Sequence, residues 1–594
     1  MYTRMLNCPA RVLSAVRNGA RVSRRWVPRS DAGTMPLPWR GREPNRGRAK
    51  ALAVTLIVVF AASPVVRAGG ELDVPLYNGL GKHHREVTTS SPRAQKYFDQ
   101  GLIWAYAFNH DEAIRAFRKA AELDPDCAMA WWGIALCNGP HINNPAVSPE
   151  RAAAAWKAWQ KANAAQARVL PVEQALIRAL GQRYADPAPA DRAALDAAYA
   201  EAMAKVWAEY PRDPDVGTLY AEALMDLRPW DLWTQDQRPQ PGTLRIVEVL
   251  EEVLHLDPDN PGANHLYIHA VEPSKEPQKA NLAAQRLCDL VPVSGHLVHM
   301  PSHIYVLTGR WAEAALQNER AIEADRAYRK RSPQQGFYHV YMLHNHHMLS
   351  FASMMEGRSA VAIRAARGAV ESVPDDYRRE NAALVDPYMG AVYDALKRFG
   401  RWDDVLKEPP PPSYLPITTA MWRMNRAVAY AAKGDTALAE QERAAFQQAA
   451  AQVPEDAMMA INPAQSILKI AQHFLDGEIA YRHGDAETAI RALQKAIALE
   501  DQLRYMEPPE WMQPVRHTLG AILLSTGRYE EAEQVYRADL EQWPENGWSL
   551  HGLSRCLQAR GALEEAGQAE QRFRKTWSRA DVSIDSSCVC VPGK

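Results

Sequence analysis

The chain has 594 residues, and its hydrophobic fraction of 47% is enough to bury a large core. Thirteen of its 69 basic but only two of its 70 acidic side chains fall in the first 68 residues, so the remainder holds 56 and 68 and a net charge near −12. That excess of acid excludes a sequence-independent grip on nucleic acid, which depends on neutralising phosphates. Seven cysteines are far too few for a disulfide-built scaffold.

Residues 1–68 read as an export leader. Residues 1–50 hold twelve Lys/Arg, the apolar run Ala51–Val66 follows, and Val66-Arg67-Ala68 before Gly69 makes a small-residue cleavage site. The run is too short to favour a permanent membrane anchor. Met35 could be the true start, because the stretch from there already forms a complete leader. A periplasmic or secreted protein is expected, with residues 69–90 as a linker.

Residues 91–256 read as helical repeats. Between residues 94 and 125, Gly101, Trp104, Ala113, Phe117, Ala120 and Pro125 stand at the small, aromatic and closing positions of a helix pair. The same grammar returns at Gly309-Arg310-Trp311…Ala314, Gly434-Asp435…Ala439, Gly484-Asp485…Ala489, Gly527-Arg528-Tyr529…Ala532 and Gly561…Ala566. Pro211, Pro258, Pro292, Pro374 and Pro544 close further second helices. In these residues the chain resembles the tetratricopeptide repeat family from about Ser91 to Trp577, with patchy stretches at 140–245 and 400–415. The resemblance implies an all-α, tetratricopeptide-like helix-pair solenoid, a right-handed superhelix of about eleven or twelve pairs. It further implies that the first helix of each pair lines the concave groove.

Two turn-rich insertions interrupt the first segment. One runs from Gly139 to Pro145 and contains Asn143; the other runs from Arg228 to Gly242 and contains Trp230 and Trp233. Loops on a rigid array are natural carriers of function, although paired tryptophans also cap irregular joints.

Residues 257–375 form a histidine-rich segment holding nine of the chain's eighteen histidines. His265 and His269 lie 34 residues before His299 and His303, and 34 residues is a helix–turn–helix period. His296 and His299 reappear 48 residues on as His344 and His347, in step with Gly309 and Gly357. Spacings of three, four and seven keep these imidazoles on one helix face, although Pro301 interrupts the His296–His303 stripe. Aligning Pro211 with Pro258 puts Glu222 at the place of His269, and Asp226 follows one turn later.

The expected site is thus Glu222, His265, His269, Glu272, His299, His303 and His347, with His296 and His344 at its edge and His339 and His346 pointing elsewhere. Imidazole and carboxylate donors suit a transition metal (Cu, Zn or Fe), and the number of donors allows two ions. Glu222 and Glu272 are expected either to activate a metal-polarised water or to orient the imidazoles. Trp230, Trp233, Asp226 and Asn143 would then line the groove over a substrate.

Residues 376–578 continue the helical repeats, and the tail 579–594 carries Cys588-Val589-Cys590, a pair suited to Cu(I) or to a disulfide with a partner. No P-loop, dinucleotide fingerprint, HExxH motif or nucleophile elbow is present. Three functions remain open: a metal-dependent hydrolase or oxidoreductase, a metal carrier, and a metal-free scaffold of the kind the resemblance implies. The last would hold a peptide or small-molecule ligand in its groove.

Overall fold

The structure is a computed structural model that describes residues 74–333 and 335–591. The expected leader and residues 69–73 of the linker lie outside the described residues. Among those described, the chain forms 27 α-helices that associate in sequence as twelve pairs. The first is Pro92–Tyr106 with His110–Leu123 and the last is Gly547–Ala559 with Leu563–Thr576. The helix-pair fold expected from the repeat grammar is therefore present. One two-residue ribbon, Met458–Met459 antiparallel to Asn462–Pro463, is added among the described residues. No described helix is long and apolar enough to cross a membrane.

Local chemistry sets the helix ends. Several helices start on a capping side chain followed by proline: Ser91-Pro92, Ser148-Pro149, Asp213-Pro214 and Asn260-Pro261. Each cap oxygen takes an amide proton of the first turn, and proline there gives up a donor the helix does not need. Close packing follows from missing side chains. A Cβ on Gly101 or on Gly133 would lie 2.6 Å from the Phe117 ring, so both helices can press against it.

The turn inside a pair requires a left-handed residue. Gly309, Gly357, Gly434 and Gly527 supply it at φ 72 to 85°. In the first pair the same place belongs to Phe108, at φ 54°. A bulky residue in that region is strained, and its ring stands beside the histidine segment.

The C-terminal pairs fold back on the central ones. Trp311 Nε1 donates to the Pro544 carbonyl (2.9 Å), Trp548 Nε1 to that of Met354 (2.7 Å), and Asp581 takes the Ser359 and Ala360 amides. The connection from Asp501 to Pro514 crosses to the N-terminal half, where Arg504 donates to the Trp230 carbonyl at 2.7 Å. The chain end also differs from expectation. Cys588 and Cys590 are 2% exposed and joined to each other, so the pair is an internal disulfide and not an exposed motif. Cys127, Cys137, Cys288 and Cys556 remain buried thiols.

Candidate metal centre

Four helices bring the imidazoles together. Pro261–Val271 carries His265 and His269, Gly295–His299 carries His296 and His299, Pro301–Leu307 carries His303, and His339–Met355 carries His344. Met300 links the second and third in helical geometry, so Pro301 divides the helix without dispersing its stripe. His265, His269, His296, His299 and His303 are all at most 4% exposed.

Four of the rings are held by their Nδ1. His269 and His303 donate to the two oxygens of Glu272 at 2.8 and 2.7 Å. His299 donates to Asn318 Oδ1 at 2.6 Å, and the Asn318 amide nitrogen is committed to the Ala314 carbonyl at 2.8 Å. His265 donates to the Tyr106 carbonyl at 2.7 Å. A neutral imidazole has one N–H, so these bonds leave Nε2 as a bare lone pair on all four rings.

The lone pairs converge. His299 Nε2 and His303 Nε2 are 2.6 Å apart with no hydrogen of their own to share. His269 Nε2 is buried without a partner, and its ring centroid lies 5.4 Å from that of His303. The His344 ring stands 4.6 Å from His299. Donor atoms of His299, His303 and His344 lie within 4.8 Å of one another, as do those of His265, His269 and His296 and those of His269, Glu272, His303 and Glu507. These buried His and Glu groups could hold a metal ion.

The electrostatics match. Burial and the neighbouring imidazoles hold His265, His296, His299 and His344 well below the usual histidine range, and burial lowers His303 despite Glu272. Burial disfavours the Glu272 anion, but His303 and His269 outweigh it and bring the carboxyl down to about 2. Burial, then the charge of Glu272, drives Glu507 well above the carboxylate range. Burial therefore favours the neutral imidazole at His265, His296, His299, His303 and His344, beside the Glu272 carboxylate.

Other expected residues lie around this group or away from it. Trp230 donates to Asn143 Oδ1 at 3.1 Å and sets its ring edge-on to His269 at 5.4 Å, so the two insertions meet over the cluster. Trp233 donates to the Ala270 carbonyl at 2.8 Å. Glu222 does hold the helix position equivalent to His269, yet it lines a separate small cavity with His110 and Arg183. Burial, followed by Asp226, raises its carboxyl to about 8. Asp226 is paired with Arg183. His347 faces Met512 and Tyr388, His339 packs on Tyr377, and His346 packs against Gly368.

Sequence reasoning missed several neighbours. Tyr505 donates to Glu272 Oε2 at 3.3 Å, and Glu507 Oε1 lies 3.4 Å from His303 Nδ1 with its second oxygen buried and unpartnered. The strained Phe108 ring lies between His141 and His265, 4.5 Å from each, and His141 in turn meets His110 at 4.5 Å. The length of the Asp501–Pro514 connection between two repeat pairs was the available signal for the first two.

Tetratricopeptide-repeat family models match residues 94–127 and 514–539. No curated protein matches the chain. Among solved structures it is similar to the APC/C hetero-tetramer Cut9–Hcn1, at 14% identity over 82% of this chain and 74% of that one, with a TM-score of 0.29. It is also similar to human IFIT1, in the dimer with m7Gppp-AAAA, at 14% identity over 82% and 91% and a TM-score of 0.32. At such identities the likeness concerns the helical fold alone. Two segments of the chain thus match the tetratricopeptide repeat, and buried histidine groups occupy the helix pairs between them.

Proposed function

We propose that this is an exported metalloprotein whose repeat scaffold holds a transition-metal ion, zinc, copper or iron, as a resident centre, with donors sufficient for a second. One observation carries the reading: His299 and His303 point bare Nε2 lone pairs at each other across 2.6 Å while Glu272 and Asn318 fix their tautomers. Two lone pairs at that distance repel, and a cation relieves the repulsion. Carboxylate or amide partners on the far nitrogen are the usual second layer of a histidine metal site. His269, His303 and His299 would be the principal ligands, with His344, His265 and His296 beside them.

A bound ion would act as a Lewis acid. Glu272 spends both oxygens on imidazoles and serves to orient them, which leaves Glu507 as the carboxyl free to pass a proton in a hydrolytic or oxidative reaction. Deep burial under Tyr505, Glu507 and Trp230 disfavours both a peptide lying on the imidazoles and a carrier that must release its ion quickly. Export rests on the composition of residues 1–68, and the Cys588–Cys590 disulfide suits an oxidising compartment.

Metal analysis of the purified mature protein tests the reading. We expect near-stoichiometric metal that is absent from the His269→Ala/His303→Ala variant. Protein that stays metal-free after loading with zinc, copper and iron would overturn it and favour the scaffold.

A further inference from the structure

The connection Asp501–Pro514 has two faces. Tyr505 and Glu507 meet the histidine cluster, whereas Met506, Pro508, Glu510 and Met512 line a small cavity on the other side. His347 enters the same cavity from the helix that carries His344, one turn further along. Met421 and Met459 complete a wall of four thioethers. Met421, Met459 and Met512 are each at most 4% exposed.

Three oxygen groups in this wall are already committed. Thr418 Oγ1 donates to the Asp386 carbonyl (2.8 Å), Asp394 pairs with Lys397 (3.3 Å), and Glu510 accepts from Asn462 (2.8 Å). His347 differs. Its Nε2 lies 3.0 Å from Met512 Sδ, and its Nδ1 is buried with no partner. A thioether is a weak hydrogen-bond acceptor, so this contact does little to offset the burial of an imidazole. Both sulfur and imidazole nitrogen are good donors to a soft cation, and thioethers in particular select Cu(I) over Zn²⁺ or Mg²⁺.

We propose that His347, Met506 and Met512, with Met421 and Met459 in the same wall, form a Cu(I) site separate from the histidine centre and divided from it by one thickness of chain. Coordination would need no change of oxidation state. The neutral imidazole and thioethers replace the ion's solvent or carrier ligands and release no proton.

Anaerobic Cu(I) titration against a chromophoric chelator tests this in the full chain. In the His269→Ala/His303→Ala background the histidine centre is disabled, and we expect one Cu(I) equivalent to remain. Adding Met506→Leu/Met512→Leu, which nearly conserves volume, should remove that equivalent. Should the histidine variant fold poorly, X-ray absorption of one Cu(I) added to wild-type protein whose histidine centre is already filled with zinc reads the same point through sulfur neighbours. Retention of Cu(I) by the methionine variant, or an all-nitrogen shell, would overturn the site. Loss of zinc from the histidine centre alone leaves this outcome unaffected, so the two claims fail separately.

Discussion

The central and C-terminal pairs share one backbone plan but bury different chemistry on their first helices. Ala464–Arg482 buries Ile467, Leu468, Ile470, Phe474 and Leu475, and its neighbours continue that hydrocarbon core. Pro261–Val271 buries Asn264, His265 and His269 at the same stage of its pair, and His339–Met355 buries Asn345 and His347. The contrast is sharpest between single residues. In the C-terminal region His517 is also fully buried, but its Nε2 donates to Asp539 at 2.8 Å and its Nδ1 accepts from Arg398 at 2.9 Å. Both of its nitrogens are satisfied inside the protein. His269, His299 and His303 are oriented just as firmly on one nitrogen and left open on the other. A closed histidine supports the fold, whereas an open one asks for a ligand.

Changes at each type of histidine should break this comparison in different ways. The largest effect is expected at the open set, where His269→Ala/His303→Ala removes the metal altogether. Next comes the layer behind it: Glu272→Gln should weaken metal affinity about 10- to 100-fold, measured by chelator competition. His517→Ala should do the opposite. It leaves Arg398 and Asp539 buried without their shared partner, and we expect a loss of about 3–5 kcal/mol in unfolding free energy at unchanged metal content.

Acidity separates the regions more gently. His339 is held at about 4 and His110 at about 3, in both cases first by burial. Below pH 6.5 the unfolded chain takes up protons that these folded imidazoles refuse, so falling pH costs about 1.4 kcal/mol per pH unit for each, until their folded values are reached. In the C-terminal pairs burial raises Glu478 to about 7 and Glu500 to about 8. These carboxyls stay protonated in the fold where the unfolded chain has lost the proton, so their stabilisation fades as pH rises from about 4.5 to 8. Hydrogen exchange of metal-free protein should therefore find acid opening the pairs that carry His110 and His339 first, and C-terminal protection weakening toward pH 8. The smallest effect belongs to His346→Ala, for which we expect no change in metal content.

Much of this arrangement is legible in local sequence. The 34- and 48-residue echoes mark first helices, and the i, i+3 and i, i+4 spacings place His265, His269, His299 and His303 on a common stripe, because helix geometry converts spacing directly into direction. Glu222 marks the limit of that reasoning. Its helix position was read from the prolines, yet equivalent places on successive helices become neighbours only where nothing intervenes, and here the packing sets it beside His110 and Arg183. Tyr505 and Glu507 are harder still. They approach Glu272 and His303 across more than 200 residues, through a connection that has no repeat pattern, and only the folding back of the C-terminal pairs brings them there.

The most direct test of the central claim is X-ray absorption at the metal edge of zinc-loaded protein, where zinc should choose the nitrogen-rich pocket. We expect a first shell of imidazole nitrogens at about 2.0–2.1 Å that disappears in the His269→Ala/His303→Ala variant. A shell of solvent oxygens, or an imidazole shell unchanged in that variant, would contradict it.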